Sequence, residues 1–111
     1  MKISFEGIDE KIVTFIGKDV KAGEPVRVSD AGTVTACSNG QDFDGFVAGV
    51  TGEYAGVIIG GAVSASYSGS APGFGSVALC ADGSGGVKCG GSVKHLVVDV
   101  DETANIVTFI M

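Results

Sequence analysis

The run Val57-Ile58-Ile59-Gly60-Gly61-Ala62-Val63-Ser64-Ala65-Ser66-Tyr67 decides how the rest of the chain is read. Its odd positions carry Val57, Ile59, Gly61, Val63, Ala65 and Tyr67, and its even positions carry Ile58, Gly60, Ala62, Ser64 and Ser66. Apolar residues at every second position, opposed by small and polar ones, mark a half-buried β-strand. Gly60-Gly61 sits in the middle of it. Two readings stay open: a long strand that bends at the glycines to serve two sheets or turn a barrel corner, or a two-residue hairpin turn.

The same grammar extends in both directions. Lys11-Ile12-Val13-Thr14-Phe15-Ile16 is β-branched and aromatic and predicts a strand ending at Gly17. Pro25 opens a second strand over 26–29, a position where proline is tolerated. Asp30-Ala31-Gly32 reads as a hairpin turn, with a return over 33–37. Asn39-Gly40 is a strong turn dipeptide. Phe46 to Val50 reads as a strand buried on both faces, inside a stretch, 43–55, that also admits one helical turn. Downstream, 68–75 is a loop, 76–80 a strand, 82–86 a glycine-rich loop and 87–89 a return. Residues 94–100 and 106–111 are the last two strands, joined by the turn Asp101-Glu102-Thr103-Ala104-Asn105. Ile106-Val107-Thr108-Phe109-Ile110 repeats Ile12-Val13-Thr14-Phe15-Ile16. The sum is about eight to ten short strands with glycine-rich hairpin loops, an all-β small barrel or two-sheet sandwich.

Composition agrees. With 111 residues, the chain reads as a single all-β domain over 1–111. Nineteen glycines, two prolines and no collagen period suit tight turns between strands. The two leucines, Leu79 and Leu96, are too few for a helical bundle. Met1-Lys2-Ile3-Ser4-Phe5-Glu6 meets an acid before any apolar run and reads as no signal peptide. No apolar run is long enough for a membrane helix. Synthesis and folding in cytoplasm are therefore expected.

Seven basic and thirteen acidic residues give a net charge of −6. No lysine or arginine stands between Arg27 and Lys88, while Asp30, Asp42, Asp44, Glu53 and Asp82 do. That balance argues against a nucleic acid or an anionic membrane as partner.

Candidate chemistry is sparse. Cys37, Cys80 and Cys89 are an odd number, which argues against a disulfide framework. They lack the close pair that zinc sites use, even with His95 added. They read as small buried hydrophobes. His95, in Val93-Lys94-His95-Leu96-Val97-Val98, either faces solvent or fills a half-buried site. A Cys–His dyad would need an activated thiol and a cleft. Asp42 and Asp44, with Glu53, offer oxygen ligands for calcium, but without EF-hand spacing. As paired carboxylates, Asp42 and Asp44 follow a turn, where solvated acids are the ordinary case. The 82–86 loop lacks the Lys-Ser/Thr ending of a phosphate loop. No catalytic, cofactor-binding or metal-binding residue is assigned. The contact candidate is Phe74, flanked by Gly73 and Gly75. Exposed, it would anchor a partner; folded back, it would cover one end of the barrel. A non-catalytic β-barrel adaptor or binding module fits this pattern.

Four segments, in order, carry a more specific likeness: Lys21-Ala22-Gly23-Glu24-Pro25-Val26-Arg27-Val28, Phe43-Asp44-Gly45-Phe46-Val47, Val63-Ser64-Ala65-Ser66-Tyr67-Ser68-Gly69-Ser70-Ala71-Pro72, and the stretch 75–88 with its Leu-x-Ala-Asp-Gly-x-Gly-Gly-Val-Lys pattern. From about Lys21 onward the chain resembles the small all-β head decoration, or capsid-stabilising, proteins of tailed bacteriophages and prophages. The resemblance implies a structural virion protein on the capsid surface, made in the bacterial host cytoplasm. It implies the major capsid protein as partner, a homo-oligomer, commonly a trimer, and no catalytic residues or cofactor.

Overall fold

Nine strands and no helix make up the described residues of the chain, 11–111, in a computed structural model. The opening hexapeptide read for a leader lies outside them. Strands β1 (Lys11–Lys18), β2 (Pro25–Asp30), β3 (Thr33–Ala36), β4 (Gly45–Thr51) and β5 (Tyr54–Gly60) form a closed barrel in the order β1-β3-β2-β4-β5. Strands β6 (Ala62–Ser66), β7 (Gly75–Ala81), β8 (Val87–Asp101) and β9 (Ile106–Ile110) form a four-stranded sheet in the order β6-β9-β8-β7. The all-β fold of eight to ten short strands, expected as a small barrel or a two-sheet sandwich, is realised as a five-stranded barrel joined to one four-stranded sheet.

The turns follow from local chemistry. Between β2 and β3, Asp30 Oδ1 accepts the Ala31 N–H at 2.8 Å and Gly32 takes a φ of 66°. Between β4 and β5, Thr51 pairs with Tyr54 across Gly52-Glu53, and Gly52 has a φ of 60°. A β-branched or bulky side chain strains at such angles, whereas glycine does not.

The central run bends and does not form a hairpin. β5 pairs with β1 and β4, whereas β6 pairs with β9. Gly61, at a φ of 103°, redirects the chain from barrel to sheet. Odd residues point inward on both sides of the bend but enter different cores. Ala55 and Val57 join Val26, Val34 and Val47 inside the barrel. Val63, Ala65 and Tyr67 join Leu79, Val87, Val97, Val107 and Phe109 under the sheet. Ile59 is the exception: it is skipped in the pairing of β5 with β1 and is exposed.

One wall of the barrel serves both cores. Val47 pairs with Val57 and both face the barrel interior; Phe46 pairs with Ile58 and both face the sheet. Phe43 completes that outer layer. Burying side chains of this size is worth about 1.5–3 kcal/mol each, so the wall couples barrel and sheet. The two-faced burial expected of β4 holds for Phe46 and Val47; Ala48 to Thr51, from the register shift between Val47 and Gly49 onward, are exposed. The stretch 43–55 contains no helical turn.

The two copies of the pentapeptide are buried to different extents. In β9, Val107 and Phe109 are buried, and they pair with Ala65 and Val63 of β6. In β1, Val13 and Phe15 pair with Val57 and Ala55 of β5.

The segments 87–89 and 94–100, read as separate strands, belong to the one strand β8. Leu79 pairs with Cys89 and Ala78 with Lys94, so residues 90–93 bulge out between adjacent pairs. Gly90 and Gly91 carry φ angles of 138° and 82°. The Ser92 N–H donates to Asp42 Oδ1 at 3.0 Å, which fastens the bulge to the segment entering β4.

Candidate interaction surface

Phe74 belongs to a loop that is fastened at its base. Tyr67, at the end of β6, bridges to Val87, and the Ser68 N–H donates to the Val87 carbonyl at 3.0 Å. The Ser68 hydroxyl donates to Asp82 Oδ2. Asp82 Oδ1 also accepts the N–H groups of Ser84, at 2.7 Å, and Gly86, at 3.0 Å. Burial by itself would raise the Asp82 pKa; the hydrogen bonds from Ser68, Ser84 and Gly86 outweigh it and hold the carboxyl below its ordinary value. Gly86 allows the approach, since a Cβ there would lie 2.5 Å from the Ser66 carbonyl oxygen. The two glycine-rich loops, 68–75 and 82–86, are thus tied together through one carboxylate.

Beyond this anchor the loop divides its apolar residues. Pro72 is buried, while Phe74 is 71% exposed, the most open of the large apolar side chains among the described residues. Gly75, at a φ of 84°, turns the chain directly into β7. Phe74 therefore projects into solvent and does not cover the barrel end. An aromatic ring held outward on an anchored loop can enter a partner's pocket with little ordering cost.

A second apolar patch lies on the outer barrel wall, and the sequence reading did not identify it. Ile16 pairs directly with Tyr54, and both are exposed. Ile12 shares their face, with its Cγ2 lying over Gly56. The signal was the shared parity of Ile12 and Ile16 in a strand; Tyr54 was hidden by its place next to a turn.

The remaining candidates are dispersed. Among the described residues, no group of three or more His, Cys, Asp or Glu side chains converges as a metal site. Cys80 is buried and Cys37 half-buried, but Cys89 is exposed. The reading of all three cysteines as buried hydrophobes is corrected at Cys89, which the bulged strand β8 turns outward. Burial, with Asp44 and Asp42 nearby, pushes the Cys37 thiol up to about 11 despite the opposing field of Arg27. Asp42 and Asp44 each accept a backbone N–H from a different strand: Asp42 Oδ1 takes the Ser92 N–H, and Asp44 Oδ2 takes the Val28 N–H at 2.8 Å. Glu53 lies exposed in the β4–β5 turn. His95 is only 9% exposed and packs against Phe43 and Phe109.

Bases are scattered: Lys11, Lys18, Lys21 and Arg27 lie in or beside the barrel, with Lys88 and Lys94 on β8. Among the described residues no helix is long and apolar enough to cross a membrane. No family model matches the chain, and no curated protein matches it. The chain is a small all-β module built from a barrel and a sheet.

Proposed function

We propose that this chain is a non-catalytic protein-binding module whose contact residue is Phe74. The observation that carries this reading is the outward projection of Phe74 from a loop tied down by Ser68, Pro72 and Asp82. Such a ring costs hydration when free and returns that cost when a partner covers it.

The more specific version makes the partner the major capsid protein of a tailed phage or prophage. It is supported by the order of the four segments at 21–28, 43–47, 63–72 and 75–88. In that version the chain is a homo-oligomer, a trimer, that leaves the bacterial cytoplasm on the surface of the assembled head.

Light scattering after size-exclusion chromatography, over a concentration series, tests self-association. Co-sedimentation with assembled phage heads tests the partner. The expected result is a closed oligomer and binding to heads, both weakened in Phe74→Ala with the fold retained. An unfolded Phe74→Ala variant would place the ring in the core and overturn the contact role. A wild-type monomer that fails to bind heads would remove the capsid version and leave the adaptor reading.

A further inference from the structure

His95 is the one histidine in the sequence and packs in the core under the sheet, where Phe43 and Phe46 of the barrel wall meet Phe109. Its ring stacks on Phe43, with centroids 4.9 Å apart and planes 14° apart. On another side it meets Phe109 at 5.4 Å. Phe43 and Phe109 are themselves in contact, and both touch Phe46. Within this aromatic cluster, Nε2 of His95 is buried and has no hydrogen-bond partner. A neutral imidazole tolerates that position at modest cost. An imidazolium there would be a buried charge with an unsatisfied N–H, which is far more costly.

Each surrounding element contributes to this setting. The segment entering β4 presents Phe43 and, beside it, Asp42. β4 adds Phe46 to the cluster, β9 presents Phe109, and β7 presents Val77, the register partner of His95. Asp42 is the charged group whose field reaches the ring, but its Oδ1 is already engaged by the Ser92 N–H. On β8 itself, the neighbouring Lys94 is exposed.

The geometry points to His95 as an acid-sensitive latch: neutral, it holds the bulged segment of β8 against Phe43; protonated, it releases that segment and opens the junction between barrel and sheet. Burial lowers the imidazole pKa from its ordinary 6.5, against a weaker upward pull from Asp42. The closed form therefore binds the proton less readily than an opened form does. Opening grows as pH falls below 6.5 and levels off below the closed-form value, by up to about tenfold per pH unit between them. This inference does not depend on the partner proposed above.

The test is a side-chain NMR titration of His95 between pH 8 and pH 4.5, with amide exchange followed at 92–96. The expected result is a midpoint below 6.5, accompanied by shifts in the Phe43 and Phe109 ring signals. Exchange at 92–96, corrected for intrinsic rates, should rise several-fold between pH 7 and pH 5. In His95→Phe that rise should vanish; His95→Gln is the second variant should the first not fold. An imidazole that titrates at 6.5 with the aromatic signals unmoved would overturn the latch. So would equal acid-induced opening in wild type and a folded variant, since carboxylates would then be responsible.

Discussion

Asp42 and Ser92 are 50 positions apart in the chain, yet the N–H of Ser92 donates to Asp42 Oδ1 at 3.0 Å. The bond holds the 90–93 bulge against the segment that enters the barrel. Asp42→Ala removes the acceptor and leaves a backbone donor without its partner. A loss of about 1–2 kcal/mol is expected. Asp42→Asn retains an acceptor oxygen and should recover most of it. Urea unfolding of both variants measures the difference; an unchanged midpoint in Asp42→Ala would mean that water replaces the carboxylate.

Phe109 and Phe15 occupy the same place in two copies of one pentapeptide, but only Phe109 is fully buried. Phe109→Ala should cost about 3–5 kcal/mol. Phe15→Ala should cost markedly less, because its ring already meets solvent. Equal losses in thermal or urea unfolding would contradict the burial difference.

Gly45 lies tight against β5. A Cβ there would sit 2.5 Å from Val57 Cγ1 and 2.6 Å from the Ile58 carbonyl oxygen. Gly45→Ala forces the backbone of β5 outward, and a loss of about 1–3 kcal/mol is expected. The measurement is again the urea midpoint, with Gly49→Ala, which meets no atom within 4 Å, as the tolerant control.

Thiol reactivity should separate the three cysteines. Cys89 is exposed, whereas Cys80 is buried and Cys37 is held protonated by a pKa near 11. A maleimide or disulfide reagent at pH 8 should modify one thiol rapidly under native conditions and the others only on unfolding. Cys89→Ser should abolish the fast phase. Two fast thiols in the native protein would contradict the placement of Cys37 or Cys80.

The acid limb of stability should carry a contribution from Asp82. Its carboxyl lies below its ordinary 3.8 in the folded state, so the folded form binds the proton less readily than the unfolded one. The stabilisation is fully present above 3.8 and is lost as pH falls through the folded value. Asp82→Asn should flatten the dependence of the urea midpoint on pH between 5 and 2. A dependence as steep as wild type would assign it to other carboxylates.

Strand identity was legible because it is local. Alternation from Val57 to Tyr67, the Asp30-Ala31-Gly32 turn and the β-branched pentapeptides each follow from a few neighbouring residues. What was not legible depends on distance in the chain. Nothing near Gly90-Gly91 reveals that 87–89 and 94–100 form one strand, because the bulge is fixed by Asp42. The choice between a hairpin and a bend at Gly60-Gly61 was settled by which strands β5 and β6 found as partners. Phe74 was legible as a candidate, since glycines on both sides leave it little to pack against. The outer patch of Ile12, Ile16 and Tyr54 was not, since it requires the register of β1 on β5.

The shared barrel wall has a consequence for synthesis. All five barrel strands lie within the first 60 residues, so the barrel can close while the later strands are still being made. Until β9 arrives, Phe46 and Ile58 on its outer surface have no cover. A barrel that closes at that stage displays a sticky flank until translation reaches Phe109. Slower elongation over the second half of the message would lengthen that exposure, and with it the opportunity for chaperone capture or aggregation.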